Sequence, residues 1–170
     1  MSTEPRARFA AFGDELVAIH HRLRAELARL RTETDDYLAG GPRPRDLKTH
    51  CLAFCTALTS HHTGEDRGAF PALAARHPDL RPLIEKMTED HALVSGLLQS
   101  LERVLDDVPE DPDERDAARV RGELEGLGAI MESHFRFEER TIAAALDALP
   151  AEAGSTEDLL GLPGTAAEGA

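Results

Sequence analysis

The chain has 170 residues, 41% hydrophobic and 30% charged, with a formal net charge of −13. That length fits one domain with a single core, and the acidic balance argues against nucleic acid or anionic membranes, which need clustered Lys and Arg. No apolar run is long enough to span a bilayer, and Met1-Ser2-Thr3-Glu4-Pro5-Arg6 carries no apolar stretch of the kind a signal peptide needs.

Aromatic residues make up 4% of the chain and Trp is absent. A core of Leu, Ala, Val and Ile suits packed helices better than a sheet. The apolar spacing predicts a first helix from Glu4 to about Ala39, ended by Gly40-Gly41-Pro42. Its positions include Phe9 and Phe12, and its seam runs Leu16, His20, Leu23, Leu27, Leu30, which puts His20 inside. His21 is turned by about 100° onto a more polar flank. A second helix is expected from Pro44 to about Asp66 or Arg67, with the seam Leu47, Cys51, Phe54, Leu58, His61, Glu65. Gly64 weakens it by about 1 kcal/mol relative to Ala, and suits either close approach of a neighbour or a fraying end.

Gly68-Ala69-Phe70-Pro71 is expected to break that helix, leaving a connection through His77-Pro78. Pro82 opens a third helix reaching about Asp106, with the seam Ile84, Met87, His91, Val94, Leu98, Leu101, Leu105. After the acidic loop Asp107 to Asp113, Asp111-Pro112 is read as the cap and first turn of a fourth helix. That helix runs to about Leu149, with the seam Val120, Leu124, Leu127, Met131, His134, Glu138, Thr141, Ala145. Four long helices with modest connections predict an all-α, up-down-up-down four-helix bundle over residues 1–150. Residues 151–170 read as a flexible tail whose patch Leu159-Leu160-Gly161-Leu162 docks locally.

Counting outward from each loop centre places His20, His61, His91 and His134 at roughly one level, with mismatches of about 3 to 8 Å at 1.5 Å per residue. Glu65 and Glu138 each follow a seam histidine by four residues, one helical turn. One histidine on an apolar seam is usually a hydrogen-bonded core residue. Four at one level with two inward carboxylates are hard to explain as structure, because each unpaired buried carboxylate costs several kcal/mol. Metal ions remove that cost. Imidazole with carboxylate suits iron, with zinc and manganese ranked behind it. Six ligands are too many for one ion and sensible for two, Glu65 and Glu138 bridging and the histidines terminal.

The motifs His20-His21-Arg22-Leu23-Arg24, His61-x-x-x-Glu65 with Phe70-Pro71, Asp90-His91 and His134-x-x-x-Glu138-Glu139 together resemble those of the hemerythrin-like, or HHE cation-binding, family. They span about Leu16 to Leu146. The resemblance implies a di-iron centre with a bridging oxo or hydroxo species. Oxygen-carrying members have a second His one turn after the third-helix His, where this chain has Ser95, and a later Asp, where Glu138 serves. The missing imidazole leaves His62, His21 or a water to complete one iron, His62 being best placed. An equal alternative makes His62 a boundary residue bonded to Asp66.

An opener site suits chemistry better than simple oxygen carriage. The first expectation is therefore a cytoplasmic protein that binds and reacts with O2, peroxide or nitric oxide. The second, an enzyme, is an oxygen-activating di-iron oxidase or oxygenase whose small organic substrate enters near Phe70 or between helix ends. The third is a non-enzymatic iron sensor or store. Cys51 and Cys55, one turn apart in one helix, read as core fillers of a reduced protein rather than a disulfide. His50 lies about 16 Å from His61 along the helix and cannot share the site; His77 reads as a solvated loop residue. No phosphate loop, Ser/His/Asp arrangement or Cys-rich zinc pattern is present in the sequence.

Overall fold

The computed structural model describes residues 11–164. The expected first turns from Glu4 through Phe9, and the tail residues 165–170, lie outside that range. The described chain is all-helical, with no strand among the described residues. Helix α1 spans Phe12–Leu38 and α2 Leu47–Gly64. A π-helical turn, Glu65–Ala69, joins α2 directly to α3, Phe70–Arg76. After the 3-10 turn Pro78–Leu80 come α4, Arg81–Asp107, and α5, Glu114–Asp147. A 3-10 turn at Ala151–Ala153 leads to the short α6, Thr156–Leu160.

Three boundaries differ from the sequence expectation, each for a local reason. Pro44 stands outside α2: its carbonyl accepts the Leu47 N–H at 3.3 Å in a turn, and the ladder starts when Asp46 accepts from His50 at 2.9 Å. The helix also does not break at Gly68 to Pro71. The Phe70 N–H reaches back five residues to the Glu65 carbonyl. That wider turn carries the chain past Pro71, which has no N–H to give a regular ladder. Finally, α5 is capped by Asp113 rather than Asp111. Asp113 Oδ1 accepts the Asp116 N–H at 2.8 Å, and Asp116 Oδ2 accepts the Asp113 N–H at 3.1 Å. This reciprocal pair satisfies two donors that Asp111 with Pro112 leaves open.

Pairs across the helices run in opposite directions. Along α1 and α5, Gly13 meets Asp147, Arg24 meets Glu132 and Asp35 meets Arg121. Along α4 and α5, Asp90 faces His134 while Asp107 faces Arg119. Along α1 and α2, His20 faces His61 and Glu33 faces His50, and Asp66 in turn pairs with His91 on α4. The seams face one another and bury Leu16, Leu23, Leu30, Leu47, Leu58, Leu101, Leu105, Val120 and Leu124 almost completely. Cys51 and Cys55 are free thiols in this core. Burial pushes them up to about 12 and about 11, so they are poor nucleophiles.

Beyond Pro150 the apolar patch forms α6. Ser155 caps it, its hydroxyl accepting the Asp158 N–H at 3.0 Å. Leu159 and Leu160 are buried in the same core as the long helices.

Candidate metal centre

At one level of the helices the apolar filling gives way to polar side chains. His20 comes from α1, His61 and His62 from α2, Glu65 from the π turn, His91 from α4, and His134 and Glu138 from α5. All seven are buried; His20, His61, Glu65 and Glu138 have no measurable exposure and His62 has 6%. The structure thus brings together the seven residues that the sequence assigns to metal and leaves out His21, the other candidate for the missing imidazole. It also sorts them. His20, His61, Glu65 and Glu138 form one group whose ligand atoms all lie within 4.8 Å of one another; His62, His91 and His134 form a second.

The ring nitrogens divide their labour. His20 Nδ1 faces Glu139 Oε1 at 2.8 Å, His61 Nδ1 faces the Leu160 carbonyl at 2.8 Å, and His91 Nδ1 faces Asp66 Oδ1 at 2.8 Å. His134 Nδ1 faces Asp90 Oδ2 at 3.4 Å. Each outer partner is an acceptor, so each Nδ1 carries the proton and donates it. The Nε2 atoms turn inward, His20 to His61 at 3.1 Å and His91 to His134 at 3.1 Å. In neutral rings these would be lone pairs facing lone pairs, which repel unless a proton or a cation lies between them. Outer acceptors that set the tautomer and raise basicity are the usual support of metal-binding histidines.

The carboxylates make the same point. Both oxygens of Glu65 and both of Glu138 are buried with no hydrogen-bond partner, as is His62 Nε2. Imidazole Nε2 atoms lie close to three of these oxygens. Glu65 Oε1 lies 3.3 Å from His61 and Oε2 3.3 Å from His91; Glu138 Oε2 lies 3.1 Å from His20 and 3.7 Å from His134. Acceptors aimed at acceptors in a dry interior fit a cation.

Without a cation, the cluster must hold protons instead. Burial pulls His20 down, but the neighbouring carboxylates of Glu138 and Glu139 outweigh it and lift the ring to about 9. His91 is likewise pulled down by burial and lifted to about 10 by Asp66 and Glu65. His61 is forced down to about 3 by burial and by its neighbour His20. Burial and the nearby Glu138 raise Glu65, whereas His20 overcomes burial and lowers Glu138. The two carboxylates are driven apart, one keeping a proton and one losing it.

Packing fixes the rings from outside. Phe135 stacks on His20 with centroids 3.8 Å apart, Phe70 on His91 at 5.3 Å, and His62 on His91 at 3.9 Å. Phe70 is buried. A cavity of about 270 Å³ lies between α2 and α4, lined by Thr59, Thr63, Thr88, Ser95, His62 and His91 among others. Ser95, where carriers place an imidazole, thus borders a space beside His62. Asp66, the alternative partner of His62, bonds to His91. His21 is exposed on the outer flank of α1, and His50 stands 3.7 Å from Glu33 well below the cluster.

Sequence reasoning missed the outer acceptors as a set. Asp66, Asp90 and Glu139 each adjoin a seam residue, Glu65, His91 and Glu138. That adjacency was the available signal: a neighbour turned by about 100° reaches the rim. Arg24 also holds Glu139 at 2.8 Å, and Lys86 holds Asp90 at 3.1 Å. The fourth acceptor, the Leu160 carbonyl, is backbone and leaves no side-chain signal.

Among family models, the hemerythrin HHE cation binding domain matches residues 12–146. No curated protein and no solved structure matches the chain.

Proposed function

The chain belongs to the hemerythrin HHE cation-binding domain family, and from that premise we propose a non-heme di-iron protein that reacts with O2 or a related small oxidant such as peroxide or nitric oxide. Glu65 is the observation that carries two ions rather than one. It points Oε1 at His61 in the first ligand group and Oε2 at His91 in the second, each at 3.3 Å. One ion would then be held by His20 and His61 and the other by His62, His91 and His134, with Glu65 and Glu138, which both groups approach, shared between them. Imidazole and carboxylate together suit iron before zinc or manganese. A bound pair of irons supplies two-electron redox chemistry toward a small oxidant.

The protein's own share is orientation and exclusion of water. Glu139, Asp66, Asp90 and the Leu160 carbonyl hold the Nδ1 protons outward, leaving Nε2 free for metal. Phe135 and Phe70 close the sides of the site. The antiparallel pairing of neighbouring helices supports an up-down-up-down four-helix bundle. Two buried, free thiols fit a reducing, cytoplasmic setting.

The cavity of about 270 Å³ beside His62 and His91 favours one second reading, an oxidase or oxygenase for a small organic substrate. Stopped-flow absorption of anaerobic, ferrous-loaded protein mixed with O2 separates the two. A charge-transfer band that forms and reverses when O2 is removed supports binding or sensing. A band that decays irreversibly, and faster with substrate, supports an enzyme. If no band forms, the di-iron reading fails.

A further inference from the structure

Three features meet behind His61. First, its Nδ1 donates to the Leu160 carbonyl at 2.8 Å in a buried bond spanning 99 residues. Second, α6 lies directly against the π turn that carries Glu65. Third, the contact is built from glycines. A Cβ on Gly64 would run into the Gly161 backbone, and one on Gly68 into the backbone of Asp158 and Leu159. Gly161 has φ +73, the left-handed region, and a Cβ there would strike the Ser60 carbonyl. These approaches are backbone on backbone, closer than any side chain allows. Arg22 adds a clasp at the far end, its Nη2 donating to the Pro163 carbonyl at 2.9 Å. Leu159 and Leu160 are at most 2% exposed. The family match stops at residue 146, so this segment lies outside it.

We infer that residues 155–163 form a C-terminal clip that positions the metal centre, with the Leu160 carbonyl setting the tautomer and ring angle of His61 and α6 bracing the turn that holds Glu65. The clip is asymmetric. The other outer acceptors are carboxylates, Glu139 and Asp90 on the long helices and Asp66 on the π turn; only His61 among these four histidines bonds directly to the tail. The metal position built on His20 and His61 therefore leans on the clip twice, through the His61 hydrogen bond and through the braced Glu65, and the position built on His62, His91 and His134 only through the braced turn. This rests on the two-ion reading proposed above.

The test uses the full chain loaded with Co2+, whose affinity at each position is read by chelator competition. The paramagnetically shifted, solvent-exchangeable imidazole N–H signals are read by proton NMR. Gly161→Val should push α6 off its seat. One position should weaken by about 10-fold to 100-fold, the range for losing an outer hydrogen bond to a metal-binding histidine, while the other weakens markedly less. One shifted N–H signal, that of His61, should be lost to solvent exchange while those of His20 and His91 persist. Ser155→Ala, which removes only the α6 cap, should act in the same direction more weakly and covers the case in which Gly161→Val does not fold. Gly96→Ala, where a Cβ meets nothing within 4 Å, is the control and should change nothing. The inference is overturned if both positions weaken alike or neither does. If the wild type itself takes up no Co2+, the two-ion reading falls with it; if the wild type binds two and both clip variants match it, only the clip falls.

Discussion

The same four long helices build two different interiors. At one level their seams bring together Leu30, Leu47, Leu101, Leu105, Val120 and Leu124; at the other, the same periodicity brings together His20, His61, His62, His91, His134, Glu65 and Glu138. Both levels are buried. The apolar level is stabilised by removal of surface from water at about 25 cal/mol per Å² and is complete in itself. The polar level holds inward-facing lone pairs and two carboxylates without hydrogen-bond partners. Helical spacing decides which positions face inward, and residue type decides whether that interior needs something from outside. The apolar level should therefore govern folding and the polar level metal content.

The largest effect should come from the shared carboxylates. Glu65→Ala or Glu138→Ala removes an oxygen donor that both ligand groups approach, and each should lose most of the bound iron, measured as metal per chain after gel filtration. Retention of two irons per chain by either variant would break the assignment. At the apolar level, Leu101→Ala should do the reverse. It truncates a fully buried side chain and should cost about 2–5 kcal/mol in denaturant unfolding, while the folded protein still takes up its full metal complement.

Acid and alkali should also separate the two interiors. In metal-free protein, Glu139 is held down to about 2 by its bond to His20, and His61 is held down to about 3 by burial. Groups held below their ordinary values stabilise the fold fully above those values, and that share is lost as pH falls toward 2 to 3. His20 and His91 are raised to about 9 and about 10. Their contribution is complete below the ordinary histidine value of 6.5 and is lost as pH climbs through 9 to 10. Metal-free protein should thus show a Tm that falls on both sides. Metal replaces the His20 and His91 protons, so loading near neutral pH should release them, and loaded protein should lose the alkaline fall. An alkaline limb that is the same with and without metal would place those protons elsewhere.

A smaller effect is expected one layer out. Glu139→Gln keeps an acceptor for His20 Nδ1 but removes the charge that Arg24 and His20 share. Metal affinity should drop by about 10-fold, with metal per chain unchanged at saturating iron. A far larger loss would mean that Glu139 itself binds metal.

The two levels were not equally legible in the sequence. The seams identified His20, His61, Glu65, His91, His134 and Glu138 because a histidine or glutamate at a leucine's position is conspicuous; His62, off the seam, came into view only as a substitute for the imidazole missing at Ser95. The outer acceptors escaped because they are adjacent to seam residues rather than on the seam, where an acidic residue is indistinguishable from a solvated one. The π turn escaped because Gly68 and Pro71 are both residues that end regular helices; nothing local says that a wider turn will carry the chain through them. The contact between α6 and His61 is a backbone carbonyl meeting a ring 99 residues away, and no pattern in either segment announces the other.

The smallest expected effect tests whether position or residue type places the site. His21 follows His20 in the chain and offers the same imidazole, yet it is exposed while His20 is fully buried. A turn of about 100° separates them. His21 was one sequence candidate for the missing ligand where Ser95 stands, and to serve it would have to leave the exposed flank of α1 for the buried face that His20 occupies. His21→Ala should therefore leave metal per chain and chelator competition as in the wild type, with stability within about 0.5 kcal/mol. His62→Ala, one helix away, should instead weaken one ion, because its Nε2 is buried without a partner beside His91 and His134. If His21→Ala lost metal and His62→Ala did not, the third imidazole would come from the flank, and helical phase would not be what selects the ligands.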